Sequence, residues 1–63
     1  MLDIGTLLSP AEVSHLLNVH HTTILRWIYD GKMDALKIGG SWRIRESELE
    51  RFIREKNEKV VLI

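Results

Sequence analysis

The sequence predicts a mainly α-helical fold of three helices, with one small β-hairpin between the second helix and the third. Three segments have apolar residues at the i, i+3, i+4 spacing of a helix with one buried face. A glycine pair separates two short β-prone segments, which is typical of a hairpin. A chain of 63 residues is long enough for one domain with a small core. We therefore expect a single domain over residues 1–63, with its core in 7–56 and an apolar tail or linker in 57–63.

The composition excludes several classes of protein. There is no cysteine, so neither a disulfide nor a thiolate metal site supports this small fold. No Ser or Thr has a base and an orienting group at a catalytic spacing, and no glycine-rich phosphate loop follows a buried strand. No apolar run approaches the ~20 residues needed to span a bilayer, and no charged leader precedes one. We therefore expect a soluble, cytoplasmic protein that is not an enzyme, holds no cofactor and has no membrane partner.

The first helix is predicted to begin after Ser9 and to end at Asn18. Ser9 accepts a free backbone N–H, Pro10 suits the first helical position, and Glu12 completes a capping box. Asn18 is among the few non-glycine residues that tolerate a left-handed conformation. The predicted buried stripe of this helix is Val13, Leu16 and Leu17.

The second helix is predicted to begin near His20 or His21 and to end at Gly31, which suits a left-handed C-terminal cap. Its predicted buried stripe is Ile24, Trp27 and Ile28. The opposite, exposed side collects Thr22, Leu25, Arg26 and Tyr29, with Thr23 and Asp30 beside them. We expect this exposed side to be the face that contacts a ligand.

The first two helices have the features of a helix-turn-helix. This motif needs a small residue where the helices cross, a left-handed residue in the turn and a branched apolar residue early in the second helix. Ser14, Asn18 and Ile24 meet these needs in turn. The alternative is an ordinary helical hairpin in a bundle, and the β-hairpin that follows favours the helix-turn-helix.

The hairpin is predicted to have a three-residue loop over residues 39–41. A two-residue turn at Gly39-Gly40 would place Lys37 opposite Trp42 and would mix polar and apolar side chains on each face. A three-residue loop that includes Ser41 repairs the register. The expected pairs are then Ile38 with Trp42 and Leu36 with Ile44 on the core side, and Lys37 with Arg43 on the outer side.

This register would set two cations opposite each other. Lys37 and Arg43 would repel each other by a few tenths of a kcal/mol or more. The arrangement makes most sense if an anion such as a phosphate backbone lies there; the alternative is that both side chains extend into water.

The third helix is predicted to start near Glu46 and to close the core behind the hairpin. Its predicted buried stripe is Leu49, Phe52 and Ile53. Its predicted i, i+4 ion pairs are Glu50 with Arg54, Arg51 with Glu55, and Glu55 with Lys59.

Three arrangements are open for the apolar run Val60–Ile63: it packs back as a short strand, meets a second copy or continues into another domain. Apolar residues near the other end, Leu2, Ile4, Leu7 and Leu8, raise pairing of the two termini as a further arrangement.

Charge is segregated along a chain that is neutral overall. Nine basic residues balance nine acidic ones. From His20 to Arg45, five cations against two acids leave a charge of plus three. Such segregation fits one cationic face, or ordinary solvated surface.

The histidines do not predict a metal site. His20 and His21 diverge by about 100° on a helix, and no carboxylate or thiolate completes a set of ligands.

Several stretches together resemble the excisionase-type, MerR-like winged helix-turn-helix family. They are 7–13 (LLSPAEV), 16–19 (LLNV), 23–28 (TILRWI), 31–33 (GKM), 38–44 (IGGSWRI) and 49–53 (LERFI). The resemblance implies three helices plus a two-stranded wing, with the second helix in the major groove of DNA and the wing on the adjacent backbone or minor groove. It implies an excisionase, which directs a site-specific recombinase, or a small transcriptional regulator. The implied partners are double-stranded DNA, a recombinase or integrase and further copies of the chain, in a bacterial, phage or mobile-element context.

The predicted DNA-binding residues combine the exposed helix face with the hairpin. They are His21, Thr22, Thr23, Leu25, Arg26, Tyr29, Lys32, Lys37, Gly40, Ser41, Arg43 and Arg45. Arg26 is expected to contact guanine or a phosphate. His21 and Thr22 either contact bases or phosphates or serve only as caps, and Lys37 and Arg43 contact phosphate or the minor groove.

Other interpretations stay open. One is that the chain is a protein-interaction module, which docks through Val60–Ile63. Another is that it is the DNA-binding module of a larger protein. No small-molecule ligand is expected. Trp27 and Trp42 are predicted to be core residues, because their positions fall on the buried sides.

Overall fold

The computed structural model describes residues 5–56 and confirms three helices and a hairpin. In chain order its elements are β1 (Leu7–Leu8), α1 (Pro10–Leu17), α2 (His21–Tyr29), β2 (Leu36–Ile38), β3 (Ser41–Arg45) and α3 (Glu46–Lys56). Strand β1 was not predicted. It pairs antiparallel with β3 and makes a three-stranded sheet of order β1-β3-β2. The predictions for Leu2, Ile4 and Val60–Ile63 lie outside the described residues.

Helix α1 begins and ends as predicted. The Ser9 hydroxyl accepts the Glu12 N–H at 3.1 Å, and the Ser9 N–H donates to the Glu12 carboxylate at 2.8 Å, which is a complete capping box. Asn18 lies in the left-handed region with φ 56°. This conformation turns the chain sharply, so that the Val19 N–H reaches the Ser14 carbonyl at 3.0 Å.

Helix α2 ends in a Schellman motif at Gly31. The glycine has φ 76° and its N–H donates to the Ile28 carbonyl at 3.1 Å. The next residue, Lys32, donates to the Trp27 carbonyl at 2.9 Å. These two bonds satisfy carbonyls that the helix end would leave free, and the predicted left-handed cap is confirmed.

The core is one cluster that draws on all three helices and β3. Its buried members are Val13, Ile24, Ile28, Met33, Ile44, Leu49 and Phe52. The predicted burial of two stripe residues is wrong, because Leu16 and Ile53 are 63% and 43% exposed. Met33 is only 1% exposed and was missed, since it follows α2 in a loop where no helical period applies.

The hairpin has a two-residue turn, and the predicted three-residue loop is wrong. The observed pairs are Leu36 with Arg43, Lys37 with Trp42, and Ile38 with Ser41. Gly39 and Gly40 have φ of 59° and 83°. Positive φ at both central residues is what a type I′ turn requires, and this turn matches the twist of the two strands.

The register differs from the prediction because β1 supplies the partner that Ile44 was expected to find in Leu36. Leu8 lies opposite Ile44 and packs against the core. The core therefore does not need Ile38, which is 52% exposed. The mixed pair of Lys37 and Trp42 is also acceptable, because the ring accepts the ammonium group over its face.

The wing, which is the hairpin of β2 and β3, consequently has two different faces. Residues directly opposite each other share a face, and side chains alternate along each strand. The Trp42 face carries Lys37, Trp42 and Ile44. The Arg43 face carries Leu36, Ile38, Ser41, Arg43 and Arg45. Lys37 and Arg43 thus lie on opposite faces, and the expected facing pair of cations is wrong.

Helix α3 confirms one of its predicted ion pairs. Arg51 bridges Glu55 and also Glu48, which lies three residues before it. Glu50 and Arg54 do not pair with each other, and Lys59 lies outside the described residues. Within residues 5–56, no helix is long and apolar enough to cross a membrane.

The corrected core predicts a contrast between two similar substitutions. Met33→Ala should lower the free energy of unfolding by about 2–5 kcal/mol, because it leaves a cavity beside fully buried neighbours. Leu16→Ala removes a similar volume from an exposed position and should change stability by less than about 0.5 kcal/mol. Urea unfolding of the two variants measures both values, and equal losses would contradict the assigned core.

Candidate nucleic-acid interface

Burial of one side of α2 turns the opposite side outward. Ile24 is 0% exposed and Ile28 is 9% exposed, which fixes the rotation of the helix about its axis. Arg26 is exposed, and its guanidinium forms no ion pair within the described residues. Tyr29 is 70% exposed, and Leu25, which precedes Arg26, is half-buried. The predicted ligand-contacting face is therefore on the surface.

The N-terminus of α2 is capped by an unusual residue. The Nδ1 atom of His20 accepts the Thr22 N–H at 3.3 Å and lies 2.8 Å from the Thr22 hydroxyl. Because Nδ1 accepts from the backbone, the hydroxyl is the donor in the second bond. His21 is exposed beside the cap, while Thr23 is half-buried and donates its N–H to the His20 carbonyl. Thr22 is thus engaged in capping, while the exposed His21 ring lies beside the His20 ring, with the ring centroids 4.7 Å apart.

The end of α2 and the wing meet through three side chains, which we call the Tyr29–Trp42–Lys37 stack. The rings of Tyr29 and Trp42 are 5.9 Å apart and nearly perpendicular, at 89°. The Nζ atom of Lys37 lies 4.9 Å from the centroid of the Trp42 ring. Trp42 and Trp27 both pack against the core, as predicted, but each is only half-buried. The stack makes the exposed face of α2 continuous with the Trp42 face of the wing.

The remaining wing residues lie at the turn or on the Arg43 face. Gly40 and Ser41 are exposed at the tip. Arg43 is half-buried and its Nη1 atom donates to the Trp42 carbonyl at 2.8 Å. Arg45 is exposed and lies opposite Leu7 of β1. Ser41, Arg43 and Arg45 therefore lie on the opposite face of the hairpin from Lys37.

Lys32 lies apart from the other predicted site residues. It borders a shallow cleft with Trp27, Phe52 and Lys56, between the C-terminal ends of α2 and α3. The structure thus brings Arg26, Tyr29 and Lys37 together on one surface and does not bring Lys32 into it.

Glu48 fixes the base of the wing and was not among the predicted residues. Its carboxylate accepts the backbone N–H of Asp34 at 3.0 Å and the Nε atom of Arg51 at 2.8 Å. Its side chain is 11% exposed. The i, i+3 spacing to Arg51 is visible in the sequence, but the contact with Asp34, 14 residues away, depends on the fold.

These contacts shift the acidity of Glu48. The hydrogen bonds from Arg51 lower the pKa of the Glu48 carboxyl, and the Asp34 N–H adds to this against the opposing effect of burial. The hydrogen bonds to Glu48 and Glu55 raise the pKa of Arg51. In α1, hydrogen bonds from the Ser9 backbone and hydroxyl lower the pKa of Glu12, and the charge of Arg43 adds to this effect. Among the described residues, no three His, Asp or Glu side chains lie close enough together to hold a metal ion.

The crossed pair α1–α2, the third helix and the wing define a winged helix-turn-helix domain. A family model described as a helix-turn-helix domain matches residues 7–57, and the chain belongs to this family. The resemblance to excisionase-type domains is confirmed, and the protein is a DNA-binding helix-turn-helix protein. Domains of this family are generally not enzymes. None of the curated proteins compared with the chain matches it.

The Glu48 contacts predict a dependence of stability on pH. Because the pKa of Glu48 in the folded protein lies below its ordinary value of 4.5, its stabilisation is fully present above that value. It is lost as the pH falls through the lowered pKa. Glu48→Gln should therefore reduce stability at neutral pH and flatten the acid-induced loss, as measured by urea unfolding at a series of pH values. Glu50→Gln, at an exposed position, is the control and should leave the pH profile unchanged. An unaltered profile for Glu48→Gln would contradict the assigned role.

Proposed function

We propose that the protein binds a specific sequence of double-stranded DNA, with α2 in the major groove and the wing on the adjacent backbone or minor groove. The observation that carries this proposal is the Tyr29–Trp42–Lys37 stack, which joins the wing to the exposed face of α2. Arg26 lies on that face, one turn before Tyr29. A helix that reads bases needs an exposed polar face with a cation, and a phosphate backbone needs a second cation nearby.

Helix α2 has a size that suits the groove. An α-helix with its side chains is about 10–12 Å across, and the major groove is about 12 Å wide. Arg26 is the residue best suited to a bidentate contact with guanine, since its guanidinium makes no ion pair within residues 5–56. Leu25 fits contact with a thymine methyl group. His21 is assigned to a base or phosphate near the start of α2, where Thr22 and Thr23 hold the backbone in place.

The two faces of the wing support a role at the minor groove. The tip is narrow because Gly39 and Gly40 have no side chains, and the minor groove is only about 6 Å wide. Lys37 and Arg43 lie on opposite faces of the wing, so with the tip at this groove each is assigned to the phosphates of a different strand. Gly40 and Ser41 then offer backbone and hydroxyl groups at the groove floor. Arg45 is assigned to a phosphate further along the Arg43 face, and Lys32 is the weakest member of the predicted set.

The biological role that we propose is that of an excisionase or a small transcriptional regulator in a bacterial, phage or mobile-element setting. One reading helix covers only a few base pairs, so useful selectivity requires several copies on one DNA or a companion protein such as a recombinase. A neighbouring integrase gene would support excision, and its absence would support transcriptional control.

The proposal predicts two different kinds of DNA-binding defect. If Lys37, Arg43 and Arg45 neutralise three phosphates, log affinity falls with log salt at a slope of roughly −3, from about −0.9 per phosphate. Lys37→Met should weaken binding to all duplexes alike and should reduce this slope by about 0.9. Arg26→Ala should instead cost about 1–3 kcal/mol at the preferred site and relax its sequence preference. Fluorescence anisotropy with labelled duplexes at several salt concentrations measures the affinity, the salt slope and the sequence preference.

The matched control for these variants is Arg54→Ala, which removes an exposed cation from α3. We expect it to leave both the slope and the sequence preference unchanged. Weak binding with almost no salt dependence in the unaltered protein would contradict the proposal and would favour a protein-interaction module.

A further inference from the structure

We propose that Tyr29 and Trp42 are positioning residues, which hold Lys37 at a fixed place relative to α2 so that helix and wing bind DNA as one unit. This inference rests on the proposed function and deepens it, because it assigns the fixed relation between reading helix and wing to a named contact. Neither ring needs to touch the DNA for this role.

The geometry of the two rings is that of a specific contact. Tyr29 is the last residue of α2, and Trp42 is the second residue of β3. Their centroids are 5.9 Å apart at 89°, which is the edge-to-face arrangement that aromatic pairs favour. Tyr29 is 70% exposed, so its ring contributes little to the core. The contact is therefore better explained as a link between two surface elements than as part of hydrophobic packing.

Trp42 is the part of the wing tip that is anchored to the domain. Gly39, Gly40 and Ser41 are exposed around the turn, and Ile38 is also exposed. Trp42 is the residue closest to the turn that packs against the core. The position of the tip therefore depends on how the Trp42 ring is held, and the Tyr29 ring contacts that ring.

Lys37 completes the link because the register places it directly opposite Trp42. Its Nζ atom is 4.9 Å from the ring centroid, within the ~6 Å range of a cation–π contact. A lysine side chain loses much rotamer freedom when it binds a phosphate. The ring restricts Lys37 before binding, so that its charge is presented beside the α2 face instead of being spread over many conformers.

The salt dependence of DNA binding tests this inference with a neutral substitution. Tyr29→Ala removes no charge, yet it should reduce the salt slope by about 0.9, as though one phosphate contact were lost, because Lys37 is no longer held. Tyr29→Phe keeps the ring and should keep the slope of the unaltered protein. The double variant Tyr29→Ala with Lys37→Met should show no loss of slope beyond that of Lys37→Met alone.

Controls separate positioning from loss of fold. Circular dichroism and thermal melting establish that each variant is folded, and Tyr29→Leu replaces Tyr29→Ala should the latter be unfolded, with the same expected slope. Ile38→Ala, an exposed apolar truncation on the Arg43 face, should leave the slope unchanged.

Three results would overturn the inference and leave the proposed function intact. The first is a Tyr29→Ala variant that keeps the full slope. The second is a Tyr29→Phe variant that loses as much as Tyr29→Ala, which would assign the role to the hydroxyl group as a direct phosphate contact. The third is an additive loss in the double variant. By contrast, an unaltered protein without salt-dependent binding to any duplex would contradict the proposed function itself.

Discussion

Burial of Ile24 and Ile28 is the constraint on which the rest of the structure depends. Both belong to one buried cluster with Val13 and Ile44, so α1 and β3 together fix the rotation of α2 about its axis. Turning either side chain into water would cost about 1.5–3 kcal/mol, more than most surface contacts contribute. The outward direction of Arg26 follows from this burial, since residues two positions apart on a helix lie on different sides.

The glycine turn has a similar role for the wing. Two positive φ values at Gly39 and Gly40 set the register, and the register decides which cation shares a face with Trp42. A shift of one residue would move every side chain of a strand to the other face. The turn therefore separates Lys37 from Arg43 and gives the wing two cationic faces instead of one.

The sequence predicted the features that depend on local chemistry. The capping box of Ser9 and the left-handed conformations of Asn18 and Gly31 involve residues a few positions apart, so composition and spacing suffice. Features that depend on distant partners were missed or wrong. The predicted register of the hairpin was wrong because Leu8, which lies outside the hairpin, is the partner of Ile44. Met33 and Glu48 are placed by tertiary packing, which no period reveals. The candidate surface on α2 could be predicted because it is the complement of a buried stripe, whereas its connection to Lys37 through Trp42 could not.

The most direct test of the central claim, that the α2 face and the wing form one DNA-binding surface, is an NMR titration of the labelled protein with duplex DNA at low ionic strength. We expect amide resonances of residues 21–29 and 37–42 to shift together at one stoichiometry, with those of the exposed side of α3 unmoved. Shifts confined to α3, or no shifts on α2 and the wing at saturating DNA, would contradict the account.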